Sequence, residues 1–205
     1  MEVYTVSGTV SPVFDIAYLI VVFLLGILIL QSAQGRRQYI LFGVMAIILG
    51  CGDAFHLLPR MLSLFTTGTT SLPGHAAALG FGKQVTSITM TVFYVMLYHI
   101  WQLRYKGHNV TLTFCLYALA LCRIILCLLP QNNWLSPDAP FIWGIYRNIP
   151  FVIMGLMIIV LYFQQARKNN DDAFRFMWLA IALSFAFYIP VVLFADTTPA
   201  IGMLC

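Results

Sequence analysis

Apolar residues fall in six long runs along the chain, at about 14–32, 39–58, 76–98, 110–130, 141–163 and 173–195. A run of about 20 apolar residues matches the thickness of a bilayer's hydrocarbon core. Lipid offers the backbone no hydrogen bonds, so each run is read as a helix that satisfies its own. The connections are short and polar, and they hold turn-forming residues: Gln34-Gly35-Arg36-Arg37, Thr66-Thr67-Gly68-Thr69-Thr70, Gln131-Asn132-Asn133 and Lys168-Asn169-Asn170-Asp171-Asp172. The pattern predicts an all-α fold, a polytopic transmembrane helical bundle forming one domain over residues 1–205, with six complete spans and no internal repeat. The first eleven residues lack the basic region of a cleavable signal, so the first helix is expected to remain as a span. Asp196-Thr197-Thr198-Pro199 reads as a loop and the start of a seventh helix.

Composition agrees, with 61% apolar, 15% aromatic and only 9% charged residues in 205. That is more oil than a water-soluble globule of this length hides. Arg36, Arg37, Arg104, Lys106, Arg167, Lys168 and Arg175 lie on alternate connections and therefore share one side, whereas Arg60 is alone among Lys and Arg in the opposite loops. The positive-inside rule then predicts a multi-pass protein of the cell membrane with an extracytoplasmic N terminus. The net charge of +4 needs no nucleic-acid partner, because anionic membrane lipids account for it. Asn109-Val110-Thr111 matches the glycosylation pattern, but this topology puts it on the cytoplasmic side, so the match is read as chance. Trp101, Trp134 and Trp143 fall near predicted helix ends, where interfacial anchoring is expected. The five cysteines sit in apolar segments with no paired loop pattern, and are read as small buried hydrophobes.

Depth sorts the polar residues. In this topology Asp53 and His56 lie near the outer end of helix 2, three residues apart and on one face, with Arg60 at the rim. Lys83, Gln84 and Ser87 lie in the outer half of helix 3, and Arg123 about two thirds of the way up helix 4. Tyr146, Arg147 and Asn148 begin helix 5, and Tyr188 and Pro190 return helix 6 to the same level. Pro150 and Pro190 release the carbonyls of Tyr146 and Ala186. An isolated charge at mid-membrane costs on the order of 2.5–3.5 kcal/mol on insertion scales, so Lys83, Arg123 and Arg147 should seek anions or water. The reading counts a single acid, Asp53, at that level. It therefore expects an outward-facing polar cavity for an anionic or phospholipid-like ligand, its oxygens forked by arginine. Snorkelling of Lys83 and Arg147, or a plain ion pair at Asp53, is the structural alternative. His56 serves equally well as a packing histidine.

No metal site or cofactor is expected, since His99 and His108 fall on the other side and only His56 and His75 remain near the polar level. Gly52-Asp53-Ala54-Phe55-His56 has some likeness to a segment of the alkaline ceramidase superfamily, but the paired His-x-x-x-His of that zinc site is absent. Glycine-rich phosphate loops and nucleophile elbows are absent as well.

Gly52-Asp53-Ala54-Phe55-His56-Leu57-Leu58-Pro59-Arg60 resembles the Gly-Asp-Ala-x-x-Leu-Leu-Pro-Arg segment of the YhhN or lysoplasmalogenase-like membrane proteins. Gly80-Phe81 and Phe93-Tyr94 are looser matches to the helix that follows there. The resemblance implies an all-helical ether-lipid hydrolase in which intramembrane aspartates do acid–base work, Asp53 among them, with His56 as proton-exchange partner. The chain departs from that family in having Arg147-Asn148 where the later helices would offer a second aspartate. A transporter or receptor-like binder of a small anion, with Arg123 and Arg147 as its clamp, is the competing class.

Overall fold

The computed structural model describes the backbone of residues 3–67, 73–107, 109–136 and 139–194, and the side chains of residues 12–62, 76–107, 109–136 and 139–186. Six α-helices follow one another: α1 (Val3–Gln31), α2 (Arg37–Thr67), α3 (Pro73–Tyr105), α4 (Val110–Leu128), α5 (Phe141–Asn169) and α6 (Met177–Phe194). A single 3-10 turn, Pro130–Asn132, separates α4 from α5, and no strand occurs among the described residues. Four stretches are long and apolar enough to cross a membrane: Pro12–Gln31, Arg37–Leu62, Val110–Leu128 and Phe141–Asn169. Large apolar side chains such as Phe14 (69% exposed) and Phe114 (72%) cover their outer faces, as a lipid-facing surface requires.

α1, α2, α3 and α5 overrun the expected spans, whereas α4 and α6 fall short of theirs. α2 continues through Pro59 to Thr67, so Thr66 and Thr67 are helical rather than loop. α4 ends at Leu128 because Leu129 is extended and Pro130, which has no amide hydrogen, opens the 3-10 turn. α6 starts at Met177 rather than 173, because Phe174 folds back in the preceding turn and stacks on Tyr162 at 6.1 Å. The expected start of a seventh helix, at 196–205, lies outside the described residues. Left-handed backbone occurs where the turn residues stand, at Gln34, Gly35, Asn133 and Asn170.

α2 lies between α1 and α3, and α3 passes on to α4 and α5, with α6 beyond α5. A Cβ on Gly43 would meet Leu30 of α1, and one on Gly50 would meet Val22, so these positions let α1 approach closely. A Cβ on Gly82 would strike the backbone of Phe55 and His56 on α2, and one on Gly80 the backbone of Trp134. The core joins α3, α5 and α6 through Tyr94, Phe151 and Phe185, whose rings meet pairwise at 4.9, 5.4 and 5.2 Å.

Two expectations are corrected. Trp101 and Trp134 are buried, and their indole nitrogens donate to the carbonyls of Leu161 (3.2 Å) and Cys127 (2.8 Å) rather than anchoring at an interface. The Cys127 carbonyl belongs to the last turn of α4, where the helix itself supplies no donor, and the Leu161 carbonyl lies within α5. Cys51, Cys115 and Cys122 are exposed on apolar helix faces, leaving Cys127 as the buried one among the described cysteines. Cys205 lies outside them.

Candidate functional site

The polar residues form two groups on opposite sides of α3. The first lies where α1, α2 and α3 meet. Tyr18 on α1 donates its hydroxyl to Asp53 Oδ2 at 2.7 Å. One turn earlier on the same face, Asp15 is buried at 7% exposure, and its Oδ2 is enclosed with no hydrogen-bond partner. The charge of Arg60 acts on both Asp15 and His56, and that of Lys83 on His56. The His56 ring meets the Leu79 backbone of α3, while its Nδ1 is enclosed without a partner. Arg60 is buried and Lys83 exposed. Thr86 of α3 donates to the Gly52 carbonyl at 2.9 Å, beside Asp53, and holds the helix pair in register.

The second group joins α3, α4, the 3-10 turn and α5. Arg123 is 1% exposed, lies 3.4 Å over the Phe151 ring and reaches Asn148 Oδ1 at 3.5 Å. Arg147 lies over the Trp134 ring at 4.1 Å and donates to Asn132 Oδ1 at 3.0 Å. Asn132 in turn donates to the carbonyls of Leu126 and Leu129, closing the end of α4. Gln84 donates across from α3 to the Cys127 carbonyl at 3.2 Å. Aromatic faces and amide oxygens are thus among the partners of both guanidinium groups.

Asp53, His56, Arg60 and Lys83 thus share one group, and Gln84, Arg123, Arg147 and Asn148 the other. The Tyr188 side chain lies outside the described residues, as do those of His75 and Pro190. The count of a lone acid at this level is corrected by Asp15, which is buried and on which the charge of Arg60 acts. Its signal was Asp15-x-x-Tyr18 on one helix face. No group of three or more His, Cys, Asp or Glu with metal-binding arrangement occurs among the described residues.

The opposite end of the bundle carries a fork in which Arg104 Nε and Nη2 each reach a carboxylate oxygen of Asp171 at 2.9 Å. That fork, the largest influence on Asp171, holds its carboxyl below the usual carboxylate range. It borders a cavity of about 390 Å³ lined by Arg104, Tyr105, Lys106, Asn169 and Asp171.

No family model matches the chain, and no curated protein or solved structure matches it.

Proposed function

We propose that the protein is a six-span protein of the cell membrane, N terminus outside, that binds a polar-headed amphiphile at the outer end of α1–α3 and hydrolyses it there. The observation that supports this best is the bond from Tyr18 to Asp53, in a group that also holds His56, Arg60 and Lys83. A carboxyl fixed by a phenol, one helical turn from an imidazole on which two cations act, has the parts for acid–base chemistry on a polar head group.

The resemblance around Asp53 supports a lysoplasmalogen-like ether as substrate. Hydrolysis begins when the carboxyl form of Asp53 gives its proton to the vinyl carbon remote from oxygen. Water then adds to the oxocarbenium carbon and yields its proton to the carboxylate, and the hemiacetal breaks to an aldehyde and the glycerol-bearing alcohol. Tyr18 positions Asp53 through Oδ2, and His56 exchanges protons with it. Lys83, as the exposed cation, and Arg60 behind it take the head's phosphate. Positioned acid–base groups contribute about 10²–10⁴ in rate, so Asp53→Asn should cut aldehyde release from lysoplasmalogen in proteoliposomes by that factor. Unchanged turnover removes Asp53 from the chemistry.

A second reading, a transporter or binder of a small anion, is favoured by the gathering of Arg123 of α4 and Arg147 of α5 in one polar group with Asn132 and Asn148. It predicts substrate flux across proteoliposomes with no covalent product.

A further inference from the structure

The cavity of about 390 Å³ at the end of the bundle opposite Asp53 is lined by Arg104, Tyr105, Lys106, Asn169 and Asp171. Its volume is that of a small-ligand site, roughly 300–1,000 Å³. α3 stops at Tyr105 and α5 at Asn169, and Lys106 takes the left-handed backbone (φ 51°) that turns the chain out of α3. α5 is one of the stretches long and apolar enough to cross a membrane. A cavity at its last residue therefore lies at the depth of lipid head groups.

The lining holds two cations and one acid, and the acid is already committed. The two oxygens of Asp171 accept from Arg104 Nε and Nη2 at 2.9 Å, and the Phe174 amide donates to the same carboxylate. This fork fixes the guanidinium plane, which the Phe174 ring braces from 5.0 Å. It leaves Arg104 Nη1 with no hydrogen-bond partner among the described residues. Lys106 is exposed and has neither hydrogen bond nor ion pair among them. Arg104 in the last turn of α3, with Arg167 and Lys168 in that of α5, offsets the partial negative charge of the helix ends. The charge of Lys106 is then in surplus. A guanidinium edge held in one orientation and an ammonium on a flexible stem are donors that suit a phosphate.

We propose that this cavity binds a phosphate group of net negative charge, Lys106 supplying the charge that selects it and Arg104, oriented by Asp171, the fixed donor edge. Its place at the end of α5 favours an anionic lipid head as the source, and a soluble phosphate carries the same oxygens. The site is independent of any chemistry at Asp53, so the presence or absence of hydrolysis leaves it standing. Isothermal titration of the purified full-length chain in a neutral detergent uses three probes at one ionic strength. They are dihexanoyl phosphatidylglycerol, dihexanoyl phosphatidylcholine, whose phosphate is balanced by its own ammonium, and inorganic phosphate. The glycerol head is expected to bind about tenfold more tightly than the choline head. Lys106→Gln is expected to abolish that preference and Lys106→Arg to keep it. Arg37→Gln, which removes an exposed cation outside the lining, should leave it intact. A thermal midpoint equal to wild type shows that each variant is folded. Weak binding of inorganic phosphate assigns the site to lipid, whereas tight binding that Lys106→Gln abolishes assigns it to a soluble phosphate. A wild type with neither the lipid preference nor Lys106-dependent phosphate binding overturns the proposal. So does a folded Lys106→Gln that keeps the preference, or an Arg37→Gln that loses it as fully, since the attraction is then spread over the surface.

Discussion

The Tyr18 hydroxyl spans from α1 to α2 and ends on the Asp53 carboxylate. Tyr18→Phe removes one oxygen and leaves the Asp53 acceptor unmet, at a cost of about 1–3 kcal/mol. If Asp53 does acid–base work, the same variant should reduce aldehyde release by about tenfold with little change in KM, because it loosens the reacting group and leaves the head's cations in place. Arg123 makes a different residue-scale demand. Its guanidinium plane lies 3.4 Å over the Phe151 ring, a contact that the compact ammonium of lysine does not reproduce. Arg123→Lys is expected to lower stability by about 1–2 kcal/mol, read as a fall in the thermal midpoint in detergent. Asp53, His56 and Arg60 were legible as polar residues interrupting oil. Asp15 was not, because an acid at the rim of an apolar run reads as a boundary marker. Tyr18 was hidden differently, since an aromatic inside such a run counts as oil until its hydroxyl finds a partner.

At the level of elements, hydropathy located all six segments but misjudged their ends. Helices run on past the apolar stretch wherever caps and turns still serve the backbone, as α2 does through Pro59 to Thr67. Asn109 illustrates the missed signal, for its side chain accepts from the Leu112 amide at 3.1 Å and caps α4. An asparagine just ahead of an apolar run is a start signal, here overshadowed by its glycosylation pattern. Asn109→Ala should cost about 0.5–2 kcal/mol, visible as earlier hydrogen exchange in the first turn of α4. Gly82 sets a stricter condition between α2 and α3. Because the obstacle to a Cβ there is backbone rather than a mobile side chain, Gly82→Ala should separate the two helices and lower stability by about 1–3 kcal/mol. A thermal midpoint equal to wild type would mean that α2 and α3 are not in contact at that height.

For the whole molecule, the Arg104–Asp171 fork ties the end of α3 to the turn between α5 and α6. Asp171 titrates below its unfolded value, so the fork stabilises the fold fully above about pH 4 and fades as pH falls through the lower, folded value. With Arg104 36% exposed, solvent screens the pair, and its worth is about 0.2–1 kcal/mol. Asp171→Asn should therefore reduce the thermal midpoint slightly at pH 7, less in high salt, and have no effect once acid has protonated the wild-type carboxylate. The arrangement of helices around α3 carries a broader consequence. Gly80 abuts Trp134 on one side, and Gly82 abuts Phe55 and His56 on the other. Two residues advance a helix by roughly 200°, so these contacts grip α3 from nearly opposite directions at one height. The helix sits like a dowel between two walls, unable to roll toward one without pulling from the other. A ligand bound beside His56 would therefore be expected to press α3 against Trp134, and a change in Trp134 fluorescence on titration would report it.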